Sequence, residues 1–153
     1  MREGSMSNYS KRIACSLAFC AVLYSAAYAQ EAEDPAKVVP KLNIAWDCGK
    51  CTVNEKVIPL IEEAYRAEAA KSGRTVSATQ SVDAKIHDFR QRNPGTRVML
   101  GIMAGKDRLG LKISYKGQEI AVSDYSANAV QGMNALCESV GQNAYKQVVA
   151  MFK

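Results

Sequence analysis

Cys48-Gly49-Lys50-Cys51 is the one stretch of this chain whose residue types and spacing could do covalent chemistry. Two cysteines with two residues between them can close a disulfide, exchange it with another thiol, or supply half of a tetrahedral zinc site. The pair follows a predicted strand at residues 41–46 and precedes a predicted helix. Thr52 and Glu55 have capping-box spacing and mark that helix start. A thiolate at a helix start is stabilised by free N–H groups and the helix dipole, which makes the first cysteine more acidic. Cys137 is the third cysteine beyond the leader. The disulfide candidates are therefore Cys48, Cys51 and Cys137; three pairings are open, each leaving one thiol over.

A zinc site would need Cys48, Cys51, Cys137 and His87, the sole histidine. Only the first spacing is zinc-like, and His87 reads as a solvated surface residue, so we expect neither a metal nor another cofactor. One histidine among scattered acids makes no Ser-His-Asp set. Gly101, Gly105 and Gly110, with Lys106 among them, are too spread for a phosphate loop and mark bulges or close turns. Met99, Met103, Met133 and Met151 read as core packing.

The run Trp46-Asp47-Cys48-Gly49-Lys50-Cys51, followed by a proline-containing helix, resembles the active-site segment of thioredoxin-like oxidoreductases. That resemblance implies Cys48 as nucleophile and Cys51 as resolving thiol. It departs from the family in Asp47, which separates the tryptophan from the motif, and in Pro94, whose Asn-Pro-Gly-Thr setting is not that of the family's cis-proline.

The amino terminus indicates where such chemistry would take place. Arg2, Lys11 and Arg12 precede an apolar run at residues 13–29 that ends in Ala27-Tyr28-Ala29, the three regions of a secretory signal. We expect cleavage before Gln30 and an oxidising compartment, the periplasm or the exterior, in which cysteines can pair. Leu17-Ala18-Phe19-Cys20 is an imperfect lipid-attachment site, since Phe19 is bulky where a small residue is needed. No later segment is apolar enough to span a bilayer. The whole chain carries 20 Lys and Arg against 15 Asp and Glu; without Arg2, Lys11, Arg12 and Glu3 the balance is 17 against 14, a net charge of +3. That is an ordinary solvated surface with no basic, aromatic-interleaved stripe, so nucleic acid is not an expected partner.

Residues 30–40 read as a flexible N-terminal arm and 41–153 as one α/β (α+β) domain. Val53, Val57, Leu60, Ile61, Ala64 and Tyr65 form one helical face, with Pro59 expected to bend the helix and Gly73 to stop it. Residues 75–80 read as a strand and 82–92 as a short helix with Ile86 and Phe89 inward. Residues 96–103 read as the most strand-like run. Residues 108–115 and 119–124 form a hairpin turning at Lys116-Gly117. Residues 127–152 form a closing helix with Val130, Met133, Leu136, Cys137, Val140, Ala144, Val148 and Met151 buried. The expected order is β-α-β-α-β-β-β-α, a single mixed sheet with helices packed on it.

Arg97 to Leu109, with its Gly101 and Ala104-Gly105-Lys106, and the later Ser139-Val140-Gly141-Gln142 resemble a family of small bacterial envelope proteins, often lipoproteins. The resemblance runs over most of 42–149. It implies an α/β domain akin to the amino-terminal domain of the Tol–Pal propeller protein and to curli-secretion lipoproteins. Such domains bind other envelope proteins without catalysis. The expected function is therefore an exported interaction or assembly-accessory domain with no catalytic residue; the alternative is thiol–disulfide exchange at Cys48 and Cys51.

Overall fold

The computed structural model describes residues 36–93, 95, 99, 100, 103, 105–127 and 132–152. The expected leader, and the expected arm up to residue 35, lie outside them. The elements run β1 (Val38–Trp46), α1 (Val57–Lys71), β2 (Thr75–Arg90), β3 (Asp107–Tyr115), β4 (Gln118–Ser126) and α2 (Met133–Met151). The four strands form one sheet in the order β1-β2-β3-β4. The β1–β2 pair is parallel and the other two pairs are antiparallel. The mixed α/β character with helices on a single sheet is as the sequence indicates.

Rows of apolar side chains cross the sheet and set its register. Trp46 lies beside Ile86, Ile86 opposite Leu111, and Leu111 opposite Val122. The next row runs Ile44, Ala84, Ile113 and Ile120. These residues, with Leu42, Val82 and Leu109, join the inner faces of α1 and α2 in one core. Residues between them, such as Lys41, Asp83, Lys85 and Lys112, are exposed. A one-residue slip would exchange the two sets, so burial fixes the pairing.

Two expected elements are not found among the described residues. The helix expected at 82–92 is the second half of β2. A bulge between Ile86 and Asp88 adds one residue there, so Ile86 and Phe89 both face inward although three apart. Three-residue spacing of apolar side chains imitates a helix. His87, the bulged residue, therefore sits on a strand, over Gly110, where a side chain would come within 2.9 Å of its Nε2. Of the strand expected at 96–103, the described residues Met99, Leu100 and Met103 are not in the sheet. Among its described members, Met99 and Leu100 are helical, and 96–98, 101, 102 and 104 lie outside the described residues.

Several boundaries move. β1 begins at Val38, so Val38–Pro40 belong to the sheet and not to the arm; Pro40 is accommodated at an edge-strand irregularity between Val39 and Lys41. Helix α1 begins at Val57, which puts Pro59 in the first turn, where its missing N–H has no helical acceptor to lose. The end of α1 is as expected. Gly73 has φ of 69°, and the N–H groups of Gly73 and Arg74 donate to Ala70 O and Ala69 O, a Schellman closure. Lys116 and Gly117, with φ of 47° and 82°, form the two-residue hairpin turn matched to strand twist. The buried stripe of α2 also matches, from Met133 to Val148; Val130 lies outside the described residues.

Candidate functional site

The end of β1 shapes the site. The Asp47 N–H donates to Ile86 O and prolongs the β1–β2 ladder one residue past Trp46. The chain then reverses at Gly49, whose φ of 61° suits glycine. Cys48 and Cys51 are joined by a disulfide with their Cα atoms 5.6 Å apart. The closed ring spans four residues and holds Lys50 within it. Cys137 is not part of it: it is a free thiol, fully buried on α2. His87 is on the outer face of β2. The four residues of the zinc possibility are thus not assembled, and no three His, Cys, Asp or Glu residues come together as ligands among the described residues.

The capping box does not form. Lys56 holds the N-cap position without a side-chain cap bond. Asn54 does the local work, its Oδ1 accepting the Lys56 N–H at 3.0 Å and its carbonyl accepting the Val57 N–H at 3.0 Å. Thr52 and Glu55 are exposed, and so is Val53, at 53 %. Cys48 therefore precedes the first helical residue by nine positions. A dipole effect confined to the first turn has no obvious purchase on it, and the expected acidification loses its basis.

Across from this loop lies the exit of β2. Asn54 Nδ2 donates to Gln91 Oε1 at 2.8 Å, tying the two segments. Behind them is a feature the sequence reading missed. Arg92 and Asp107, both buried, form an ion pair at 3.1 Å. Asp107 also accepts the Arg92 backbone N–H at 2.6 Å, and the guanidinium donates to Gly105 O and Ser126 O. The pair closes the base of the 93–106 connection and ties it to the end of β4. Its only sequence signal was a pair of charges flanking a glycine-rich apolar run.

That connection overturns a second expectation. Met99 and Met103 are not core residues: they are 85 % and 91 % exposed, and Leu100 beside them is 54 % exposed. Met133 is buried and Met151 packs against the core, as expected. Between the disulfide loop and the end of β2 runs a cleft of about 840 Å³, with Lys50, Cys51, Lys56, Phe89, Arg90 and Gln91 among its walls.

Two outcomes follow from the cysteines. Replacing both Cys48 and Cys51 by serine is expected to lower stability by about 2 kcal/mol, the loop-entropy value for so short a ring, measured by urea unfolding. Burial raises the Cys137 thiol to about 12. The thiol is neutral in both states below the ordinary value, and above it the unfolded chain ionises first. The protein should lose stability as pH climbs from about 9 towards 12, and Cys137→Ala should flatten that loss. Alkylation of Cys137 should require unfolding.

No protein-family model matches this chain, and neither does any curated protein sequence. No helix among the described residues is long and apolar enough to cross a membrane.

Proposed function

We propose that this chain is an exported, non-catalytic binding domain of the bacterial cell envelope, acting in the periplasm or outside the cell through contacts with other envelope proteins. The observation that carries the reading is the exposure of Met99, Leu100 and Met103 on a connection closed at its base by Arg92 and Asp107. Methionine adapts its shape to a partner surface, and a fixed loop base lowers the ordering cost of contact. The leader at residues 1–29 and the likeness of residues 97–109 to envelope proteins support the same reading.

The test is site-specific photo-crosslinking in cells, with the photoreactive residue at 99 or 103 and, as control, at Lys146 on the exposed side of α2. Discrete adducts with an envelope protein at 99 and 103, and none at 146, are the expected result. Absence of any adduct, or the same adducts at all three positions, overturns the proposal. Cleaved protein from these cells should begin at Gln30.

A second reading, thiol–disulfide exchange with Cys48 as attacking and Cys51 as resolving thiol, is favoured by the closed Cys48–Cys51 ring at a strand end. Insulin reduction that vanishes in Cys48→Ser would establish it; activity equal to that of free dithiothreitol alone would remove it.

A further inference from the structure

We propose that the cleft between the Cys48–Cys51 turn and the end of β2 is a binding site for an extended acidic peptide. Its volume of about 840 Å³ falls within the usual range for ligand clefts, about 300–1,000 Å³. Beside Arg92, which is paired with Asp107, three cations reach it from two facing segments: Lys50 and Lys56 from the loop between β1 and α1, and Arg90 from the end of β2. Glu55 is the one acid in its walls, and the first turn of α1 adds none. None of the three cations has an ion-pair partner among the described residues. The nearby acids are engaged elsewhere: Asp47 pairs with Lys85 at 3.2 Å, and Asp88 with Arg108 at 3.6 Å. Arg90 lies opposite Arg108 in the β2–β3 ladder, and Arg108 is the residue that takes Asp88. The Arg90 guanidinium lies over Gly105, where a side chain would meet Nη2 at 3.2 Å.

The lining favours a peptide over a compact anion. The cations are spaced along two facing segments, with the amides of Asn54, Gln91 and Asn93 among them and Val53 and Phe89 as apolar surface. Asn54 is spent on Gln91 and on the Lys56 N–H, and the Asn93 oxygen on the Gly95 N–H, which leaves the NH2 groups of Gln91 and Asn93 as donors toward a peptide's carbonyls. Spaced cations suit carboxylates distributed along a chain. The walls are also set in advance by the disulfide, the Asn54–Gln91 bond and the Arg92–Asp107 pair. Met99, Leu100 and Met103 are not among the cleft residues, so this site and the exposed apolar contact can fail independently.

The experiment is fluorescence anisotropy on the exported protein with a labelled peptide bearing Glu or Asp at alternate positions. Saturable binding that weakens at least about tenfold in Lys56→Glu/Arg90→Glu, and in about 0.5 M salt, is the expected result. Lys146→Glu, outside the cleft, should leave it unchanged, and circular dichroism should be the same for all three proteins. Four results would overturn the proposal. These are no saturable binding at low salt, an equal loss in Lys146→Glu, equal affinity for the lysine version of the peptide, or displacement by citrate or inorganic phosphate at peptide-like concentrations.

Discussion

Asp107→Ala is expected to destabilise the domain by about 3–5 kcal/mol, the usual cost of leaving one member of a buried ion pair behind. The carboxylate accepts from both the Arg92 guanidinium and the Arg92 backbone N–H, so one substitution removes the counter-charge and two hydrogen bonds together. Gly105 O and Ser126 O remain as acceptors, but they bring no charge. Domains of this size are stable by about 5–15 kcal/mol in total, so the variant should unfold at far lower urea. Arg92→Leu/Asp107→Leu should recover part of the loss, because apolar replacement of a whole buried pair is often close to neutral. The recovery is incomplete where Gly105 O and Ser126 O lose their donor. A loss below about 1 kcal/mol for Asp107→Ala would mean that water reaches the pair.

Gly141→Ala tests the packing of α1 on α2, and here two rules oppose each other. Alanine in place of glycine inside a helix ordinarily gains about 1 kcal/mol. At position 141, however, a Cβ would lie 2.6 Å from the Ile61 carbonyl oxygen and 2.7 Å from Ala64 Cβ. A backbone carbonyl cannot rotate aside, so the helices must part, and the edge-on contact of Tyr65 and Tyr145 parts with them. Overpacking of this kind costs about 1–3 kcal/mol, and we expect it to prevail. Gly141→Val should cost more. Thermal unfolding of the three proteins gives the ranking, and an alanine variant as stable as the parent would show that the crossing opens freely.

How much of this was legible depended on whether the signal was local. The Gly73 stop, the Lys116-Gly117 turn and the α2 stripe each rest on backbone preferences or a single period within a short window, and each was readable. Strand β2 was not, because the bulge at His87 gives its second half the spacing of a helix. Residues 96–103 are apolar enough for a strand, yet the described ones stand outside the sheet with Met99 and Met103 exposed; composition cannot distinguish an apolar surface from a core. The Cys48–Cys51 pair was visible, but the nine positions between Cys48 and the start of α1 were not, since Thr52 and Glu55 imitate a cap that does not form. Arg92 and Asp107 are brought together only by the β2–β3 connection.

The four-residue ring has a consequence for how the chain matures. Cys48 and Cys51 are neighbours in any conformation, so an oxidant can join them before folding. Cys137 is protected only by folding, which places it inside α2's buried face. Oxidation and folding therefore run as a race. A chain that folds quickly keeps the local ring and a silent third thiol. A chain held open, as Asp107→Ala would be, gives Cys137 time to attack the ring or a second molecule. In this protein a weakened core should show itself first as wrongly joined chains.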